Sequence, residues 1–328
     1  MNLNMWVKAL QVIPRLEKDE WDQLDIISRW LISTRAAVLI MTFISAAIAG
    51  LLAIRDGGFS WWRWLLVVIG LTFAHATNNL LNDLTDYRRG VDTDNYYRTL
   101  YGPQPVQQGL ISEKGLLGYA AASGLIALAA GIPLVITSGW LGLALLLAGA
   151  FFVLFYTWPL KYIGLGEIAV ILVWGPLMVG GGYSVITGVW DWNVALFSLV
   201  YALGPTTVIF GKHIDKIDAD RAKMIRTLPV LLGEKHARYT ALGMMVLQYL
   251  LVVYLVVIGF ITPWLLIVFF SLLTIPRVAR MFIKPKPVKR PAEYDETIWP
   301  LWFSAGAFFH NRIFGLLFLA GLILELLI

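Results

Sequence analysis

Stretches of about twenty nearly uninterrupted apolar residues recur nine times along this chain of 328 residues. At 1.5 Å per residue that is the length a helix needs to cross the roughly 30 Å hydrocarbon layer of a bilayer. The runs cover 36–54, 61–81, 115–136, 140–159, 167–187, 192–211, 240–260, 263–283 and 303–327. Inside hydrocarbon every backbone N–H and C=O must be satisfied by the protein itself, which leaves helices or a closed barrel. No segment alternates with period two, so a barrel is excluded. The sequence therefore predicts an all-α integral membrane protein, a bundle of nine transmembrane helices. A composition of 59% hydrophobic and 14% charged residues agrees, since it leaves too little polar surface to cover a fold of this size in water.

About thirty polar or amphipathic residues precede the first run and contain no small-residue cleavage site, so the expectation is a retained leader and no signal peptide. Trp6, Val7, Leu10, Trp21 and Ile26 alternate there with acids and bases, a pattern that predicts residues 1–30 as an amphipathic cytoplasmic leader lying along the membrane surface. Residues 31–328 then form a single transmembrane domain. Cysteine is absent, which excludes thiolate catalysis, disulfides and Cys-ligated metal centres.

Lys and Arg set the orientation, because cytoplasmic loops retain them. With the N-terminus cytoplasmic, the leader through Arg35 and the even-numbered loops hold 23 of the 26 basic residues, whereas Arg55 and Arg63 fall outside and Arg312 near the start of the last span. The C-terminus is then outside, and loops 83–114, 212–238 and 284–302 are cytoplasmic. The net charge of +5 reports this topology and does not call for a nucleic-acid partner.

Charges crowd at two cytoplasmic helix ends. In "NNLLNDLTDYRRGVD", residues 78–92, Asn79, Asp83 and Asp86 are spaced i, i+4, i+7 and share one helical face. Carboxylates one turn apart at a wet membrane boundary repel each other unless a cation joins them. Oxygen-only ligands suit a hard ion, Mg²⁺ above all. In "HIDKIDADRAKMIRTLP", residues 213–229, Asp215 and Asp218 share a face, Asp220 lies nearby, and Arg221, Lys223 and Arg226 surround them. Two acidic groups on one side of the membrane, interleaved with bases, form a receptor for a Mg²⁺-bound diphosphate. The four histidines are scattered and lack zinc spacing, which points to hydrogen-bonded roles.

"NDLTDYRRGVD" at 82–92, "YTWPLKYIGLGEIAVILVWGPLMVGGGY" at 156–183 and "DADRAKMIRTLPVLLG" at 218–233 resemble the UbiA superfamily of intramembrane prenyltransferases. Among its branches they are most similar to the one that prenylates dihydroxynaphthoate for menaquinone. The resemblance implies a helical bundle around a central cavity open to lipid, with a prenyl diphosphate and one or two Mg²⁺ ions under the cytoplasmic loops. Carried over by position, Asn79, Asp83 and Asp86 match the first aspartate-rich motif, Asp218 and Asp220 part of the second, Tyr156 and Lys161 a loop that contacts diphosphate, and Arg35 a basic position on the first helix. With the neighbouring charges, the expected metal ligands are Asn79, Asp83, Asp86, Asp215, Asp218 and Asp220, with Asp83, Asp86, Asp218 and Asp220 catalytic, and the expected diphosphate contacts are Arg35, Arg88, Tyr156, Lys161, Lys216, Arg221 and Arg226. The implied reaction ionises an allylic C–O bond to a carbocation that an aromatic acceptor attacks.

Three positions depart from that branch, which usually has Asn at His213, Asp at Lys216 and Gly at Met224. Either Asp215 replaces the missing Asp, which requires an unwound backbone because one residue turns a helix by about 100°, or the Lys216 ammonium takes the place of one metal's charge. A cyclase or lipid prenyltransferase of the same fold is the alternative within the family. A transporter is the alternative outside it, although a transporter's acids would lie near the midplane rather than at one end.

The topology has a direct test in a cysteine-free chain. Single cysteines introduced at Gly90, Lys223 and Lys289 should react with a membrane-impermeant thiol reagent from the cytoplasmic side alone, and a C-terminal tag should face outward. Labelling of the first two positions from opposite sides would refute a shared cytoplasmic face.

Overall fold

The computed structural model describes residues 1–91, 103–292, 294, 296 and 299–327; among these every regular element is helical. Asp92, which follows the first acidic group, lies outside the described residues. Two compact units divide the chain, Met1–Ala46 with Trp61–Pro159, and Ala47–Ser60 with Leu160–Ile328.

The leader is three short helices rather than one: α1 (Leu3–Gln11), α2 (Lys18–Asp22) and α3 (Ile26–Ser33). Pro14, which lacks an N–H and clashes with a preceding turn, stands in the way of a continuous helix. Asp25 caps α3 by accepting from Ile27 and Ser28 N–H, and also takes Asn2 N–H at 2.8 Å and Trp6 Nε1 at 3.1 Å, which pins α1 to α3. Burial opposes ionisation of Asp25, but the N–H groups of Ser28 and Asn2 outweigh it and hold its pKa below the usual carboxylate range. Trp21, expected at the membrane surface, is 1% exposed and packs with Leu24, Leu31, Ile32, Leu39 and Leu110. The amphipathic pattern was real, but protein covers this part of its apolar face.

Among the described residues eight helices are long and apolar enough to cross a membrane. In chain order they are α4 (Ala36–Arg55), α5 (Trp61–Arg88), α6 (Glu113–Phe155), α7 (Gly166–Thr187), α8 (Trp192–Asp215), then, after the short α9 (Ile217–Ala222) and α10 (Leu228–Leu232), α11 (Glu234–Val257), α12 (Pro263–Ile283) and α13 (Trp302–Leu327). The count differs from nine because the third and fourth expected runs form one element of 43 residues, α6, interrupted at Gly139 by φ 59°, ψ −137°. That conformation is not helical, and the chain doubles back there. A Cβ placed on Gly131 would lie 3.1 Å from Leu146 Cδ1, whereas a straight helix would separate these residues by roughly 22 Å.

In the first unit α5 pairs with α6, joined by Leu80, Leu84, Leu116 and Ala120 and by the Asn78 amide donating to Val153 C=O at 3.0 Å. In the second, α8 is the central helix, against α7, α11 and α13. Its Leu203, Phe210 and Ile214 share a core with Ala241, Met245, Phe282 and Phe303. α7 is π-wound over Val173–Gly180, around Pro176. Gly211 of α8 lies so close to the start of α13 that a Cβ would stand 2.7 Å from Phe303 C and O. That close approach brings Asp215, one turn further on, to the first residues of α13.

Gly139→Ala should destabilise the protein by about 1–3 kcal/mol through backbone strain alone, because its added methyl would meet no atom within 4 Å. Gly149→Ala, equally uncrowded but without a positive φ, should be neutral or slightly stabilising. Thermal unfolding in detergent compares them, and equal midpoints would remove the strained turn.

Candidate active site

The first acidic group is built in the first unit by the junction of α3 and α4 against α5. α3 ends at Ser33, Thr34 caps it, and Arg35 adopts φ 55°, a left-handed turn that a side chain enters at a cost. The turn lets the Arg35 guanidinium reach α5, where Nη2 donates to Asp83 Oδ1 at 2.9 Å and to Asn79 C=O at 3.2 Å. The Asn79 amide returns a hydrogen bond to Thr34 C=O at 2.8 Å. Asp83 and Asp86 are 4% and 5% exposed, so the expected wet boundary is a protein interior. Carboxylate oxygens of this kind are the hard ligands that a small divalent cation takes. Arg88, in contrast, is half exposed and pairs with Glu113 at 2.8 Å. Tyr156 follows the end of α6, and Lys161 is buried in the 3₁₀ turn Leu160–Ile163.

In the second unit the backbone leaves the helix at Lys216 (φ −117°, ψ 23°), between α8 and α9. Around this break the three carboxylates go separate ways. Asp215 Oδ1 accepts from Trp302 and Phe303 N–H, both at 3.0 Å, and Oδ2 from Ser304 N–H at 2.9 Å. Three of the N–H groups that a helix start leaves without partners are thereby satisfied. Lys216 Nζ donates to Asp220 Oδ1 at 2.7 Å in the interior, and Asp220 Oδ2 is buried with no donor among the described residues. Asp218 is 90% exposed and pairs with an exposed Arg221 at 3.2 Å. α9 closes with Met224 at φ 56°, Ile225 N–H returning to Asp220 C=O and Met224 N–H to Arg221 C=O. This is the left-handed helix stop that glycine normally fills. Arg226 lies beyond it, exposed. Lys286 Nζ reaches Asp215 C=O at 3.3 Å and lies over the Trp299 ring. Burial lowers the Lys286 pKa against the opposing pull of Asp215, Glu234 and Asp218.

Among the described residues no three His, Asp or Glu side chains gather into a preformed metal cluster. The first group nonetheless fits Mg²⁺, which takes one or two carboxylates and completes its shell with water and phosphate oxygens.

The model of the UbiA prenyltransferase family matches residues 42–295. The chain belongs to this family. It is a multi-pass membrane enzyme that transfers prenyl groups. It is 31% identical over 214 residues to the digeranylgeranylglyceryl phosphate synthase of Natronomonas pharaonis, covering 64% of this chain and 69% of that one. To the 1,4-dihydroxy-2-naphthoate octaprenyltransferase of Bacillus subtilis it is 25% identical over 298 residues, 89% and 91% of the two chains. A UbiA homologue from Archaeoglobus fulgidus, solved bound to GPP and Mg²⁺, shares the fold with a TM-score of 0.59 at 16% identity, covering 90% and 99%.

One buried pair in this family member was invisible to motif reading. Glu167 Oε1 meets His213 Nδ1 at 2.5 Å, and Oε2 accepts Leu228 N–H at 3.2 Å. The pair ties α7, α8 and α10 together at the edge of the second acidic group. Both residues stand in quoted motif segments, but nothing local links positions 46 apart. His213 is thus a hydrogen-bonded residue, as are His75 on Thr42, His236 on Leu232 C=O and His310 on Thr274.

Asp215→Ala should lower stability by at least about 2 kcal/mol, since it leaves buried N–H groups of α13 without an acceptor. Asp215→Asn, which retains one carbonyl oxygen, should lose less. Unfolding midpoints in detergent measure both, and an unperturbed Asp215→Ala would refute the capping role.

Proposed function

We propose that this enzyme transfers a prenyl group from a prenyl diphosphate to an aromatic or quinone-precursor acceptor within the membrane, in a Mg²⁺-dependent reaction. The observation that carries the metal reading is the buried Arg35–Asp83 pair with Asp86 one turn along α5. Asp83 and Asp86, with the Asn79 amide oxygen, would hold Mg²⁺. The ion would supply a Lewis acid that neutralises charge on the departing diphosphate. Arg35 orients the Asp83 carboxylate through its 2.9 Å hydrogen bond. Arg88, on release from Glu113, would add a guanidinium for the remaining diphosphate charge. The allylic C–O bond breaks with both electrons passing to the diphosphate oxygen. The acceptor carbon supplies the pair for the new bond and then loses its proton, or carbon dioxide where it bears a carboxylate. The apolar spans exclude the water that would intercept the cation.

In this reading α6 crosses twice, hinged at Gly139, which makes nine crossings with the N-terminus and the acidic groups cytoplasmic. Similarity over nearly the whole length to a dihydroxynaphthoate prenyltransferase supports the aromatic acceptor. The higher identity to a digeranylgeranylglyceryl phosphate synthase favours a second reading, a glyceryl phosphate lipid as acceptor.

Purified protein supplied with Mg²⁺, prenyl diphosphates of several lengths and both acceptor types should release diphosphate and yield a prenylated product. Asp86→Asn should reduce the rate by at least about 10²-fold, and EDTA should abolish it until Mg²⁺ is restored. Turnover at the wild-type rate in excess EDTA would refute the metal assignment. Prenylation of neither acceptor, with cyclised hydrocarbon as product, would replace transfer by cyclisation.

A further inference from the structure

The second acidic group of a diphosphate-dependent enzyme should offer carboxylate oxygens to a cation, and here they are committed elsewhere. Both Asp215 oxygens accept backbone N–H groups of α13. Asp218 points to solvent with Arg221. Asp220 Oδ1 is taken by the Lys216 ammonium at 2.7 Å, which leaves Oδ2 as the one buried carboxylate oxygen of the group without a donor among the described residues. A divalent cation at Oδ2 would have one protein ligand and would stand within a few ångströms of a buried ammonium. In an interior of low dielectric that repulsion disfavours it strongly. These residues do not fit a metal ion.

They do fit an anion. Lys216 is 8% exposed, and its ammonium carries three N–H donors. Asp220 is the acceptor the described residues provide. The break in the backbone at Lys216 places this side chain where the helix stops, with the basic run from Arg221 to Arg226 following in the chain. The remaining N–H groups of a buried ammonium need oxygen acceptors, and a diphosphate supplies them.

We infer that the second acidic group binds no metal, and that Lys216, held by Asp220, is a built-in cation that donates directly to diphosphate oxygens. This rests on the prenyl diphosphate reading above and deepens it: the enzyme would operate with the divalent cation of its first acidic group alone.

Metal counting tests the inference without turnover. Mn²⁺ bound per protein is measured by electron paramagnetic resonance in the presence of geranyl S-thiolodiphosphate, an unreactive diphosphate, and the Kd of that analogue by calorimetry. Asp220→Asn, nearly isosteric, should bind as many Mn²⁺ ions as the wild type. Lys216→Asp should bind one more. Lys216→Ala should keep the wild-type count but bind the analogue about 10- to 100-fold more weakly, and Lys216→Arg should recover most of that loss. Loss of a Mn²⁺ ion in Asp220→Asn, no gain in Lys216→Asp, or an unchanged Kd in Lys216→Ala would each overturn the inference. Asp83→Asn reports separately on the first group: a full Mn²⁺ complement there would sink the metal assignment of the proposed function and leave the Lys216 result to be read by itself.

Discussion

A carboxylate moved from water into a medium of low dielectric loses solvation that only an opposite charge or several N–H donors can replace. Four of the buried acids show how that demand is met. Asp83 takes the Arg35 guanidinium and Asp220 the Lys216 ammonium. Asp215 takes three backbone N–H groups, and Glu167 a histidine and one backbone N–H. Each solution fixes a helix end. Arg35 holds the α3–α4 junction against α5, Asp215 holds the start of α13 against α8, and Glu167 binds α7 to α8 and α10. These buried acids thus position the helices, and a substitution in them reads out in stability.

The irregular backbone gathers at the same places. Among the described residues Arg35 and Met224 are the non-glycine residues with positive φ, and Lys216 separates two helices. In a membrane protein such departures are tolerated where protein, rather than lipid, satisfies the released N–H and C=O groups. A left-handed side chain costs of order 1 kcal/mol or more. At Arg35 that cost is offset by hydrogen bonds that only the turned backbone allows. At Met224 the helix stop forms without a glycine, held by the paired carbonyls of Asp220 and Arg221 and by the buried Ile225 that follows.

Within one family fold the acceptor and the metal arrangement can change while the helices stay the same. Here Lys216 and Asp220 form a buried ion pair at the break between α8 and α9.

The sequence alone determined the membrane class, the position of nearly every span and the two helix ends where charge collects, because those follow from local chemistry. Hydrocarbon demands about twenty apolar residues per crossing, and acids at i, i+4, i+7 share a face whatever the rest of the chain does. The sequence posed Asp215 or Lys216 as the substitute for a missing acid without deciding between them. What the sequence left open was the partner of each charged group. Asp215, Asp218 and Asp220 look alike in the chain, yet one caps a helix 87 residues later, one lies in solvent and one holds a lysine. The leader's apolar face likewise did not reveal whether lipid or protein would cover Trp21. Only the tertiary structure decided these, because a buried charge or an apolar face specifies how strongly it needs a partner, while the packing of distant segments selects which one it meets.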